Sequence, residues 1–125
     1  MSRPALEIAD ILIYLTEPGD KPDPDDPFRY EKIKATVERF GGERAIILQM
    51  RDVWSGPRDY LGYAQLFINL KECPELVEGV VVKCVDHYIR VIERAAEMGV
   101  NVVFTGDDVA DNRGPMFAPH LWDNL

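Results

Sequence analysis

Two short apolar runs limit what this chain can fold into. One is Arg44 to Met50 (Arg-Ala-Ile-Ile-Leu-Gln-Met) and the other Asn101 to Thr105 (Asn-Val-Val-Phe-Thr). Neither alternates polar with apolar residues, as a strand with one wet face does. Near-continuous runs of this length read as strands buried on both faces, the pattern of parallel sheets flanked by helices. Parallel neighbours need a long crossover between them. The stretch between these two runs has helical patterning, so the order of elements predicts an α/β fold built from βαβ units.

The helices are marked by their caps and stripes. Asp26 is a good N-cap, Pro27 suits the first helical position, and Tyr30, Ile33, Val37 and Phe40 follow at helical spacing up to Gly41-Gly42. Asp59 to Leu70 reads as a second helix through Tyr60, Tyr63, Ala64, Phe67 and Ile68. A long helix starts at Glu72 or Cys73, has Pro74 in its first turn and runs to Met98, with Gly99 as the stop. Its apolar stripe is Val77, Val81, Cys84, Val85, Tyr88, Ile92, Ala95 and Ala96. Ala118-Pro119 opens a further helix. Upstream, Leu6, Ala9, Leu12 and Ile13 fit a helical stripe, but Ile11 to Leu15 also fits a buried strand, and both readings stay open. Residues 18–27 hold four prolines and four aspartates. Fixed φ angles and mutual repulsion make this an extended surface loop, and it lacks the Gly turn and closing Glu of a calcium loop. The whole of 1–125 reads as a single α/β segment.

Fourteen Lys+Arg against 22 Asp+Glu give a net charge of −8. That balance argues against nucleic acid and against an anionic membrane surface, both of which call for clustered cations. No apolar run approaches the roughly 20 residues that span a bilayer. Glu7 and Asp10 spoil a secretory leader, and two cysteines are too few for a disulfide framework, so a cytoplasmic protein with reduced thiols is expected.

In parallel α/β folds the loops leaving the C-terminal ends of strands carry function. Here these are Gln49 to Trp54 and Thr105 to Pro115, which face each other if the strands are neighbours. Asp107, Asp108, Asp111, Asn112 and Arg113 crowd the second loop, and a carboxylate there can accept N–H donors, act as a base or hold a cation. The plainer reading is that Asp108 or Asp111 caps a turn and Arg113 neutralises it. Arg51 and Trp54 in the first loop, with Arg58 shortly after it, offer cations and a flat ring to an anionic planar ligand. The simpler alternative, favoured here, pairs Arg51 with Asp52 and packs Trp54 on the next helix. Cys84 and His87 share a helical face but do not supply the three or four ligands of a zinc site, and Cys84 falls in the apolar stripe. No Walker loop, GxGxxG or Ser-His-Asp spacing is present.

Phe104-Thr-Gly-Asp-Asp-Val-Ala-Asp-Asn-Arg-Gly-Pro-Met-Phe-Ala-Pro-His-Leu-Trp122 resembles a stretch of the uroporphyrinogen decarboxylase superfamily, which also holds corrinoid-dependent methyltransferases. Its members share a strand, an acidic turn, a Gly-Pro pair and a Ser/Ala-Pro helix start. Cys73-Pro-Glu-Leu-Val-Glu78 and Ala95-Ala-Glu-Met-Gly99 resemble the helix and strand entry that precede this turn, and the likeness covers about residues 26 to 122. The resemblance implies a (β/α)₈ barrel, of which this chain is an internal fragment with parallel strands and long helices, since a whole barrel takes roughly 250 residues. It places Asp107 and Asp108 at the barrel mouth as catalytic groups. Arg51, Trp54, Asp111, Asn112 and Arg113 then surround a small-molecule substrate, a tetrapyrrole or a methyl-corrinoid. The family's decarboxylase tyrosine has no counterpart near Arg51 to Trp54, which brings the chain closer to the methyltransferase-like branch. The family's N-terminal arginines and aspartate and its C-terminal histidine and zinc cysteines are likewise unmatched. The expectation is therefore no cofactor, no metal and no activity from this chain alone. Self-association that completes the core is the alternative, and a small acidic cation-binding protein the weakest reading.

Overall fold

The structure is a computed structural model and describes residues 23–123. The apolar segment 5–15 and the first part of the Pro/Asp-rich loop lie outside the described residues.

Asp26 does cap, but what it starts is a 3₁₀ turn, Pro27–Tyr30. Its side chain accepts the Phe28 N–H at 3.0 Å, and the α-helix α1 (Glu31–Phe40) follows. The end of the acidic loop is stapled to the body of the molecule. Asp25 pairs with Arg90 and Arg94, and the Tyr30 hydroxyl, buried with its ring, donates to the Pro24 carbonyl at 2.5 Å.

The strands form as expected, displaced by a few residues: β1 is Ile47–Arg51 and β2 is Val102–Gly106. They pair in parallel, Ile47 opposite Val102 through Arg51 opposite Gly106. Burial on both faces is not found. Leu48, Met50 and Val103 are half-buried on one face. On the other, Ile47 is 62% exposed, Val102 48% and Phe104 57%. The physical reason is coverage: among the described residues only one face of the pair is shielded, and an apolar run alone cannot reveal how many faces are covered.

The crossover is three helices: α2 (Ser55–Leu61), α3 (Tyr63–Glu72) and α4 (Pro74–Glu97). The single helix expected from Asp59 to Leu70 is broken at Gly62, whose φ of +75° is a backbone state that side chains disfavour. The break resets the helical phase. Tyr63, Ala64 and Ile68, expected inside, are exposed, and Leu66, Asn69 and Leu70 are buried instead. α4 ends as read, with Gly99 at φ +99° just beyond it. Its buried set is Leu76, Val77, Val80, Val81, Cys84 and Ala95, whereas Ala96 is exposed.

The core lies between α2, α3 and α4. Trp54, Leu66, Leu70, Val77 and Val81 form its main cluster, next to a smaller one of Leu76, Val80 and Cys84. Fully burying each such aliphatic side chain contributes about 1.5–3 kcal/mol. α2 and α4 meet at Gly56, where a Cβ would stand 2.4 Å from the Cys84 Sγ, so only glycine permits the approach. After β2 the chain makes a small antiparallel hairpin, β3 (Ala110–Asp111) and β4 (Gly114–Pro115), and then the short helix α5 (Pro119–Trp122) that Ala118-Pro119 announced.

Candidate functional site

Parallel pairing brings the C-terminal ends of β1 and β2 side by side, and each strand-end loop reaches into the other. The Asp52 carboxylate, just past β1, accepts the Thr105 hydroxyl at 2.6 Å and its own neighbour's Val53 N–H at 2.8 Å. The Asp107 carboxylate, just past β2, accepts the backbone N–H of Trp54 at 2.6 Å and of Ser55 at 3.1 Å, and also the Ser55 hydroxyl. These N–H groups open α2 and have no helical partner of their own, so a carboxylate there satisfies orphan donors and opposes the helix dipole.

Asp107 therefore sits at the strand-end rim, as expected, but its oxygens are occupied. Asp108, beside it, is exposed and makes no hydrogen bond or ion pair to another described residue. Arg51, at the tip of β1, does not pair with Asp52. It reaches Asp59 on α2 at 2.9 Å, and Arg58 reaches the same carboxylate at 3.2 Å while lying 5.5 Å over the Tyr63 ring. The hydrogen bond that Arg58 donates to the Tyr63 hydroxyl holds the guanidinium's pKa above its ordinary value, against a loss from burial, and contact with Asp59 adds to the rise.

Trp54 is not an open aromatic face. It is 1% exposed and its indole stacks on Phe117 at 4.6 Å, with Phe67 at 5.9 Å and Trp122 at 6.0 Å. The backbone explains this: held by Asp107, the residue turns its ring under the 109–122 segment. Its Nε1 is buried without a hydrogen-bond partner. The expected packing on the following helix is found in part: Leu66, Phe67 and Leu70 of α3 meet the ring, while its nearest stack is on Phe117.

Asp111, Asn112 and Arg113 lie at the tip of the β3–β4 hairpin, further along the chain than the strand ends. Asp111 accepts the Arg113 N–H at 2.8 Å and its guanidinium at 2.9 and 3.2 Å. The Arg113 side-chain bond, then its backbone N–H, hold the Asp111 carboxyl below the usual carboxylate range. Together with Phe67, Pro115 and Met116, this pair lines an open cleft of about 410 Å³. The rim and the hairpin cleft are thus two polar places on one loop.

Sequence reasoning missed Asp52, Ser55 and Thr105. The signal was present: an acid directly after the first strand, and a hydroxyl at the matching end of the second. Beneath α2, Tyr88 is half-buried and its phenol is pushed up to about 12, chiefly by burial, with the carboxylates of Asp107 and Asp59 among the lesser causes. Cys84 is buried in the smaller apolar cluster, as its place in the stripe indicated. Among the described residues no three His, Cys, Asp or Glu side chains group to hold a metal ion, and no helix is long and apolar enough to cross a membrane.

Fold and rim together define a parallel α/β unit with a polar strand-end site. Set against family models, curated proteins and solved structures, the chain has no match in any of the three.

Proposed function

We propose that this chain is a wall segment of a uroporphyrinogen-decarboxylase-like (β/α)₈ barrel, whose strand-end rim meets a small-molecule substrate, a tetrapyrrole or a methyl-corrinoid. The observation that supports the reading is that, among the described residues, helices cover one face of the sheet only. A doubly wound sheet has helices on both faces, whereas a barrel wall has them outside only and turns its other face to an interior filled by side chains from neighbouring strands. Ile47, Gln49 and Phe104 stand on the open face and Arg51 tops it, beside the rim. On this reading they point into the barrel and toward its mouth, and Asp108 is the carboxylate turned to the ligand. Among the described residues the chain supplies two parallel strands of the eight, so on this reading it contributes positioning groups and no turnover by itself.

The test is a titration of the ¹⁵N-labelled chain with uroporphyrin and, separately, with hydroxocobalamin. Shifts at Arg51, Asp108, Asn112 and Arg113, with Ile46 and Asn101 unmoved, support the reading. No rim shift with either probe overturns it. Release of carbon dioxide from uroporphyrinogen by the purified chain would refute the expected inactivity.

A second reading, self-association, is favoured by the same exposed Ile47, Val102 and Phe104. Apolar side chains grouped on one open sheet face mark a surface that tends to be covered. Light scattering that finds a monodisperse monomer contradicts it.

A further inference from the structure

We infer that Asp107 is a positioning residue: with Asp52 it forms a reciprocal buckle that locks the ends of β1 and β2 together and leaves Asp108 as the ligand-facing acid of the Asp107-Asp108 pair. Asp52 belongs to the first loop and accepts from Thr105 of the second strand. Asp107 belongs to the second loop and accepts from Trp54 and Ser55 of the first. Each loop is thus held by the other's carboxylate, and neither can move without opening a charge-assisted hydrogen bond. With two backbone N–H groups and a hydroxyl on it, Asp107 has little acceptor capacity left for a substrate proton. Asp108, one residue on, has no such engagement among the described residues. The buckle reaches further than the loops. By fixing the Trp54 backbone it sets the indole against Phe117, and so places the 109–122 segment over the core.

The role given to Asp108 rests on the reading of the rim as a ligand site, whereas the buckle stands on the contacts themselves. The experiment keeps them apart. Amide hydrogen exchange at Trp54 and Ser55 is followed in the full chain and in Asp107→Ala, Asp107→Asn and Asp108→Asn. Hydrogen bonds to a charged group are strong enough that their loss in Asp107→Ala accelerates both amides by about tenfold or more. Asp107→Asn, which keeps one acceptor oxygen, restores part of the protection and serves if the alanine variant does not fold. Asp108→Asn leaves both amides unchanged but abolishes the uroporphyrin or hydroxocobalamin shifts at the rim. In addition, Asp52→Asn and Asp107→Asn are non-additive in denaturation, as coupled neighbours are. Unchanged exchange in both Asp107 variants, or additivity, overturns the buckle. Acceleration in Asp108→Asn, or rim shifts that survive it, overturns the division of roles. Absence of rim shifts in the wild-type chain removes the ligand reading while the exchange data still judge the buckle.

Discussion

At the end where β1 and β2 begin, the pair is closed by neutral groups. The Asn101 N–H donates to the Ile46 carbonyl at 2.9 Å, and the Asn101 side-chain carbonyl accepts the Ile46 N–H at 2.8 Å. At the end where they finish, the closure is made by two carboxylates, Asp52 and Asp107. Both ends solve the same problem, the backbone and loop donors left over when a two-stranded ladder stops. They solve it with different chemistry. An amide suffices where only register has to be kept. Charged acceptors stand where a helix begins and where, in a parallel α/β fold, function gathers.

Four substitutions press on this contrast, in decreasing order of their effect on stability. Trp54→Ala removes the ring that the carboxylate end holds under Phe117 and Trp122, and costs about 3–5 kcal/mol in chemical denaturation. A loss under 1 kcal/mol would mean that the aromatic stack contributes little. Asn101→Ala leaves the Ile46 N–H at the other end without its acceptor and costs about 1–3 kcal/mol. That loss is the same at pH 5 and pH 8, because no titrating group is involved. A pH-dependent loss would break the comparison. Tyr88→Phe acts only in alkali. The phenol is raised in the folded chain to about 12 from an ordinary 10, mainly by burial, so the native state holds the proton more tightly. Its contribution is intact below pH 10 and fades as pH climbs from there to 12. The phenylalanine variant therefore shows a shallower fall in stability over that window, read by denaturation at successive pH values. Arg113→Ala, at an 86% exposed hairpin tip, changes stability by no more than about 0.5 kcal/mol. A larger effect would tie the hairpin into the core.

Much of this was legible beforehand because it is local. The proline and glycine that bound α4 fix their own backbone, and Pro74 and Gly99 mark the helix within a residue or so. The parallel pairing of Ile47–Arg51 with Val102–Gly106 followed from the length and patterning of what lies between. The misses are cases where a distant element decides. Gly62 looks like any glycine within Asp59 to Leu70, yet its positive φ re-phases α3 and sends Ile68 out and Leu66 in. Trp54 was expected to pack on the helix after it, and Leu66, Phe67 and Leu70 do meet it there, but its nearest ring partner, Phe117, and the edge of Trp122 come from far along the chain. Asp107 was placed at the rim by its position after a strand. That its oxygens are already taken depends on Ser55, which no spacing rule connects to it.

The contact at Gly56 has a practical consequence. With Cys84 seated directly beneath it and only 2% exposed, a thiol reagent has no path to that sulfur while α2 is down. Cys73, partly open to water, is the ready comparison in the same chain. The labelling speed of one cysteine relative to the other therefore clocks how often α2 lifts, with no probe added to the protein.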